Sequence, residues 1–348
     1  MRGRVSRTAR HGAAAVIRYL IRRLVTSVVL LIIVSIVTFG IFFLIPKLTG
    51  TDPARLFAGK VTDPSAIEGI RIKLGFNKPI WVQYADFFKG LFVGRDYANG
   101  PDVTHCAAPC FGYSFRTDQE VWPLLLNRVP VTASLAAGAA ILWLVGGTLA
   151  GVISALRRRT FIDRTVMFVA LGGVSLPVYF TGLVAQLVFV HKVHWFPGGQ
   201  YINFADDPGG WALKLIPAWV TLALLYAATY ARLTRATMLE TLGEDYIRTA
   251  RAKGLRETSV IAKHAMRAVL TPIVTVFGLD LGGLLGGAIL TETVFSLPGL
   301  GLLAITAIRQ LDLPVIMGVT LFAAFFIILA NLIVDMLYAV IDPRVRLG

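Results

Sequence analysis

The stretch Leu24-Val-Thr-Ser-Val-Val-Leu-Leu-Ile-Ile-Val-Ser-Ile-Val-Thr-Phe-Gly-Ile-Phe-Phe-Leu-Ile45 runs for 22 residues without a charge. An α-helix needs about 20 apolar residues to cross roughly 30 Å of hydrocarbon, so this stretch alone predicts a membrane span. Five more runs follow it. Val131–Leu156 and Thr165–Val190 are uncharged. Leu215–Ala231 is shorter but also uncharged, with Lys214 and Arg232 placed to snorkel from its ends. Ala268–Thr291 contains one charge, Asp280, and Pro314–Ile341 one, Asp335. The expected fold class is therefore an all-α integral membrane protein with six transmembrane helices. The first run is long for the core of a signal peptide, and Pro46-Lys47-Leu48 follows it instead of a small-x-small cleavage site, so it reads as a retained span.

Composition agrees with this reading. Of 348 residues, 56% are hydrophobic and 16% charged, and the formal net charge is +14; mean hydropathy is +0.70. A soluble nucleic-acid binder can carry that charge but not that apolar content, and a disordered chain is apolar-poor. Partitioned by the six spans, the charge falls on one side. Residues 1–23, 157–164, 232–267 and 342–348 hold 21 basic and six acidic residues, or +15. The opposite side holds 13 basic and 12 acidic residues, or +1, and two Asp lie within spans. The positive-inside rule makes the basic side cytoplasmic, with both termini there and the long segment 46–130 outside. The charge then reports topology and contact with lipid headgroups, and no nucleic-acid partner is expected. Just before the first span, Val16, Ile17, Leu20, Ile21 and Leu24 repeat at helical spacing with Arg18, Arg22 and Arg23 between them. That pattern suits an interfacial helix lying flat at the membrane surface, or a plain extension of the span.

Catalytic signatures are missing. No G-x-x-x-x-G-K-[ST], H-E-x-x-H or G-x-S-x-G occurs, so no ATPase or hydrolase centre is expected in this chain. No metal site or bound cofactor is expected either; His191 and His194, three apart, read as a polar helix end. Intramembrane carboxylates are costly and tend to be functional. Asp280, and Glu292 at the outer end of the fifth span, are candidates for a translocation path, with an interhelical hydrogen bond as the other account of Asp280. For Asp335, close to the membrane surface, a structural role is the simpler account. Span five is also rich in glycine (Gly278, Gly282, Gly283, Gly286, Gly287), which predicts close helix approach.

The segment 232–267 is the most informative. Within it, Glu244-Asp-Tyr-Ile-Arg-Thr-Ala-Arg-Ala-Lys-Gly254 reads as a short self-capped helix. Glu244 and Asp245 fall where the macrodipole favours anions, Arg248 is four residues after Glu244, Lys253 falls in the last turn, and Gly254 sits where a glycine ends a helix. Tyr246, Ile247 and Leu255 are expected on its surface. Such a helix suits a groove on a partner protein, or it is a solvated loop helix.

At these residues the chain resembles the EAA-type coupling motif of binding-protein-dependent ABC importer permeases, and in particular the B-type membrane subunit of the dipeptide/oligopeptide permease family. Glu244 through Leu255, followed by His264 and Pro272, carries the closest likeness. Leu74-Gly-Phe-Asn-Lys-Pro-Ile-Trp-Val-Gln-Tyr84, Glu292-Thr-Val-Phe-Ser-Leu-Pro-Gly-Leu-Gly301, Asn331-Leu-Ile-Val-Asp335 and Asp342-Pro-Arg344 resemble other segments of that family in the same order. The resemblance implies the type I ABC importer permease fold in a bacterial inner or plasma membrane. It implies a second homologous permease subunit, two cytosolic ATPase subunits that bind the ATP and Mg, and an extracytoplasmic substrate-binding protein. Glu244, Asp245, Tyr246, Arg248, Ala250, Lys253, Gly254 and Leu255 would contact the ATPase, with Ala250 and Gly254 keeping one face small. Phe295, Pro298, Gly299 and Gly301 would face the binding protein. Di- or oligopeptides are the implied substrates, with nickel, glutathione or opine-like solutes as alternatives and an ion-coupled secondary transporter as the reading from another class.

There are departures from the family pattern. Pro46 is separated from Asp52-Pro53, and Arg256 stands where Ser often caps the next helix, leaving Thr258 as the expected cap. An insertion at about 97–113 carries Cys106 and Cys110, the only cysteines, on the oxidising side. A disulfide between them is expected, with free thiols or a site completed by His105 as alternatives.

Overall fold

The uncharged runs fold into helices that extend well beyond their apolar centres. A computed structural model describes residues 5–341, apart from 45–47, 49, 51, 53, 55–62, 74–75, 100–101 and 115. Pro46, Pro53, Leu74 and the Asp342–Arg344 signature lie outside the described residues, as does the side chain of Asp335. Among the described residues five helices are long and apolar enough to cross a membrane, or six if one sharply bent pair counts as a span.

Helix α1 spans Val5–Phe39 and passes into a π-helical turn, Gly40–Leu44. No break separates an interfacial helix from the first span: the chain has neither Gly nor Pro between residues 16 and 39 to turn it. Between the first and second spans stand α2 (Pro64–Lys73), α3 (Ile80–Val93) and two small antiparallel sheets, β1 (Arg95–Asn99) with β2 (Asp102–Cys106) and β3 (Tyr113–Ser114) with β4 (Gln119–Glu120). The insertion is thus a β-hairpin, in register Arg95↔Cys106 through Asn99↔Asp102. Cys106 and Cys110 are disulfide-bonded just after it. His105 pairs its Nδ1 with Asp96 Oδ1 across the strands at 2.5 Å.

Helix α4 (Val121–Leu156) and helix α7 (Pro208–Leu242) have 36 and 35 residues. At 1.5 Å per residue each is about 50 Å long and projects from a 30 Å core. They form the centre of the bundle. Gly147 and Gly151 of α4 meet α7 so closely that a Cβ would stand 2.8 Å from Ala227 O and 2.6 Å from Ala231 O.

The expected third span is not straight. Helix α5 (Phe161–Ser175) and helix α6 (Val178–Ala185, continued to Lys192 as a π-helix) meet at 101°. Pro177 supplies no N–H, and the residue before it is pushed out of helical geometry: Leu176 is extended at φ −91°, ψ 128°. The fifth span also ends early. After α8 (Asp245–Ala252), helix α9 runs Glu257–Leu285, and the chain breaks at Gly286-Gly287, with Gly287 at φ +121°. A short helix α10 (Ile289–Val294), helix α11 (Leu300–Gln310) and helix α12 (Leu313–Ile341) complete the fold. Glu292 therefore sits on a separate helix rather than on the end of span five.

Candidate functional site

The basic end of the bundle carries α8. Its N-cap Glu244 makes no side-chain cap. Arg248 pairs with Asp245 at 3.3 Å, three residues away, rather than with Glu244 as its spacing suggests. The end of the helix follows the expected glycine chemistry in full. Gly254 lies at φ +73°. Its N–H bonds Arg251 O at 2.9 Å and the Leu255 N–H bonds Ala250 O at 3.4 Å, the paired pattern that closes a helix. The next helix starts at Glu257 without a side-chain cap from Thr258; Glu257 is held instead by Arg251, 2.6 Å from NH2 and 3.1 Å from Nε.

The inner face of α8 corrects the sequence reading. Ile247, expected on the surface, is 0% exposed, and Ala250 is buried beside it. Both join the cluster that holds Met238 of α7 with Val260, Ala265 and Val269 of α9. The small side chain at 250 therefore serves packing against the bundle and not an outside partner. What α8 presents to solvent is Tyr246 (46% exposed) and Leu255 (43%), with Glu244, Asp245, Arg248 and Lys253 around them.

The same end of the bundle holds a feature that sequence reading missed. Asp163, in the first turn of α5, is buried and accepts two hydrogen bonds from Arg235 of α7, 2.7 Å from Nε and 2.9 Å from NH2. The Ser154 hydroxyl of α4 and the Arg159 N–H also donate to it. Thr160 caps the same helix through the Asp163 N–H. The Thr160-x-x-Asp163 spacing was the available signal, since it matches a helix-start signature.

At the opposite end, Glu292 is 0% exposed. Its carboxylate accepts the Thr132 hydroxyl of α4 at 2.9 Å, the Leu302 N–H at 2.9 Å and the Ala288 N–H at 3.3 Å. Thr132 Oγ1 in turn accepts the Leu300 N–H at 2.8 Å. A group enclosed on every side within its own chain lines no path; it ties α4, α10 and α11 together. The segment expected to face a binding protein is likewise turned inward. Phe295, Gly299 and Gly301 are buried and Pro298 is half-buried. Gly301 is required there because a Cβ would lie 2.7 Å from the Ile289 backbone, and one at Gly299 would collide with the Glu292 carboxylate.

Asp280 is half-buried in α9 and accepts the Tyr230 hydroxyl of α7 at 2.9 Å, so it makes an interhelical bond whatever else it does. Tyr230 is fully buried near Trp143, which stacks on Tyr226 at 4.6 Å between ring centres.

A bundle of helices long and apolar enough to cross a membrane, with a braced short helix at one end, places the chain among multi-pass membrane proteins. The family of binding-protein-dependent transport system inner membrane components matches residues 147–347, and the N-terminal model of the same transport systems matches residues 16–136. The chain belongs to that family. It is 38% identical over 352 residues to the dipeptide transport system permease protein DppB of Alkalihalophilus pseudofirmus, covering 94% of this chain and 99% of that protein. It is 36% identical over 335 residues to the di/tripeptide transport system permease protein DppB of Pseudomonas aeruginosa, covering 90% and 94%. Among solved structures, a chain of the MetNI methionine ABC transporter in an inward-facing conformation aligns with a TM-score of 0.48 at 20% identity, covering 64% of this chain and 97% of that one.

Proposed function

We propose that the chain is the membrane subunit of an ATP-driven importer of di- and oligopeptides, and that α8 is the helix through which a cytosolic ATPase acts on it. The basic end is then cytoplasmic. The complete importer contains a second homologous permease, with which this chain forms the translocation path, two ATPase subunits that hold ATP and Mg, and an extracytoplasmic binding protein. This chain contributes no nucleotide site of its own. One observation carries the reading: α8 is anchored by Ile247 and Ala250 in the bundle core while Tyr246 and Leu255 stay exposed beside a ring of charge. A helix built that way transmits force, because a push on its outer face reaches α7 and α9 directly. The names of the two relatives support peptides as the substrate class.

The test is Gly254→Val in the reconstituted importer, with uptake of trialanine and ATP hydrolysis followed together. Gly254 has open space around it, but its φ of +73° suits no β-branched residue, so the strain falls on the end of α8 alone. Uptake per ATP is expected to fall with assembly intact. Wild-type uptake together with wild-type stimulation of the ATPase refutes the role of α8, and uptake driven by a proton gradient without ATP assigns the chain to secondary transport.

A further inference from the structure

The basic end of the bundle holds more charge chemistry than its packing requires. Gly147 and Gly151 already bring α4 against α7, and Thr234 sits directly against Gly151. Yet a carboxylate and a guanidinium are placed at the same crossing. A buried ion pair is a weak source of stability, because desolvation offsets most of its attraction, and its best-supported use is to hold one arrangement against others. Here the arrangement involves four pieces of chain. Asp163 receives both nitrogens of the Arg235 fork, the hydroxyl of Ser154 near the end of α4, and the N–H of Arg159 in the α4–α5 turn. Arg159 lies at φ +64°, a left-handed conformation that a non-glycine residue adopts only when its surroundings hold it. Arg235 stands seven residues before Leu242, about 10 Å from the end of α7, and α8 begins three residues after that end.

We infer that Asp163 and Arg235 are positioning residues for coupling: they lock the ends of α4, α5 and α7 into one block, so that a displacement delivered to α8 moves these helices together instead of bending the last turns of α7. The inference rests on the reading of α8 as the ATPase-contacting helix. Both carboxylate oxygens of Asp163 are taken up by groups of this same chain. The only output of the lock is the rigidity of the lever.

The experiment uses the complete importer in vesicles, reading assembled complex, trialanine uptake and ATP hydrolysis. Neutralising Arg235 alone strands the buried Asp163 carboxylate and lowers assembly, and neutralising Asp163 alone leaves a half-buried guanidinium without its partner. The double variant Asp163→Asn with Arg235→Gln removes both charges and leaves two polar amides in their place. Assembly is expected to recover, while uptake per ATP falls by about tenfold, within the usual span of coupling between distant sites. Arg235→Lys keeps the charge but loses the planar two-point grip; it is expected to assemble fully with a smaller fall in the same ratio. A merely structural pair would restore the ratio along with assembly. A double variant that assembles at the wild-type ratio overturns the inference, and if the double variant fails to assemble, Arg235→Lys at the wild-type ratio does so. Gly254→Val, run alongside, separates the two ideas. A normal ratio there removes the reading of α8 and this inference with it, whereas a lowered ratio there beside normal lock variants removes the lock alone.

Discussion

Glu292 shows how far one side chain's role depends on partners that lie elsewhere in the chain. A carboxylate at the end of an apolar run suggests a path lining, but Thr132 meets it from 160 residues away, and the backbone of the α10–α11 turn closes over it. Its function is to collect N–H and O–H donors that would otherwise be buried without acceptors. Glu292→Ala strands the Leu302 N–H and the Thr132 hydroxyl together, and each unpaired buried group costs about 1–3 kcal/mol. The purified protein in detergent should therefore unfold at a clearly lower temperature, followed by tryptophan fluorescence. Glu292→Gln keeps one acceptor oxygen but turns an NH2 toward backbone donors, so its loss should be intermediate. A path residue would behave in the opposite way, with normal thermal unfolding and impaired transport.

Helix α9 illustrates what can be read at the scale of an element. Its glycines predict close approach, and the structure supplies the partner. A Cβ at Gly278 would collide with Val334 of α12, one at Gly282 would lie 2.6 Å from the Ala330 Cβ, and one at Gly286 2.9 Å from the Ala323 Cβ. Gly283 has nothing within 4 Å. Gly282→Leu should thus separate α9 from α12 and abolish stable folding. Gly283→Ala should be tolerated and raise the unfolding temperature slightly, since Ala gains up to about 1 kcal/mol over Gly within a helix. Equal behaviour of the two variants in a detergent melt would contradict the ladder.

A second element-scale contact joins the β3 turn to the start of α12. Ser114 donates to Asp312, both are buried, and burial pushes the Asp312 carboxyl above its ordinary range, partly opposed by the Ser114 hydrogen bond and by Arg116. A raised carboxyl favours the folded state at low pH. That contribution is complete below the ordinary carboxylate range and is lost as pH climbs through the raised value. Stability should fall over that interval, and Asp312→Asn should flatten the dependence. The presence of long apolar helices and the α8 terminator were legible because each depends on neighbours a few residues away, and the glycines of α9 announced a close contact without naming α12 as its partner. The bend at Pro177 and the inward turn of residues 295–301 were not legible, since a run of apolar residues has the same composition whether it is straight or folded back. Asp163 was hidden for a further reason: beside Arg157, Arg158 and Arg159 it counts as one more surface charge, and only the α7 crossing shows that Arg235 is its partner.

At the scale of the whole molecule the proposed orientation rests on the charge distribution, and the proposed roles of α8 and of the Asp163–Arg235 pair depend on it. The sequence regions assigned by the span count to the side of α8 and the Asp163–Arg235 pair hold 21 basic and six acidic residues, while those assigned to the side of the disulfide hairpin are nearly balanced. Basic segments flanking spans favour the cytoplasmic side, and disulfides persist on the oxidising side, so both rules support the proposed orientation. The exposed residues Lys253 and Thr293 lie toward opposite ends and make the test direct. In a background with Cys106→Ser and Cys110→Ser, a membrane-impermeant maleimide added to intact cells should label Thr293→Cys and leave Lys253→Cys unlabelled until the membrane is permeabilised. The reverse pattern would put α8 outside the cell, out of reach of any cytosolic ATPase, and would remove the coupling role and the positioning role of Asp163 and Arg235 at once.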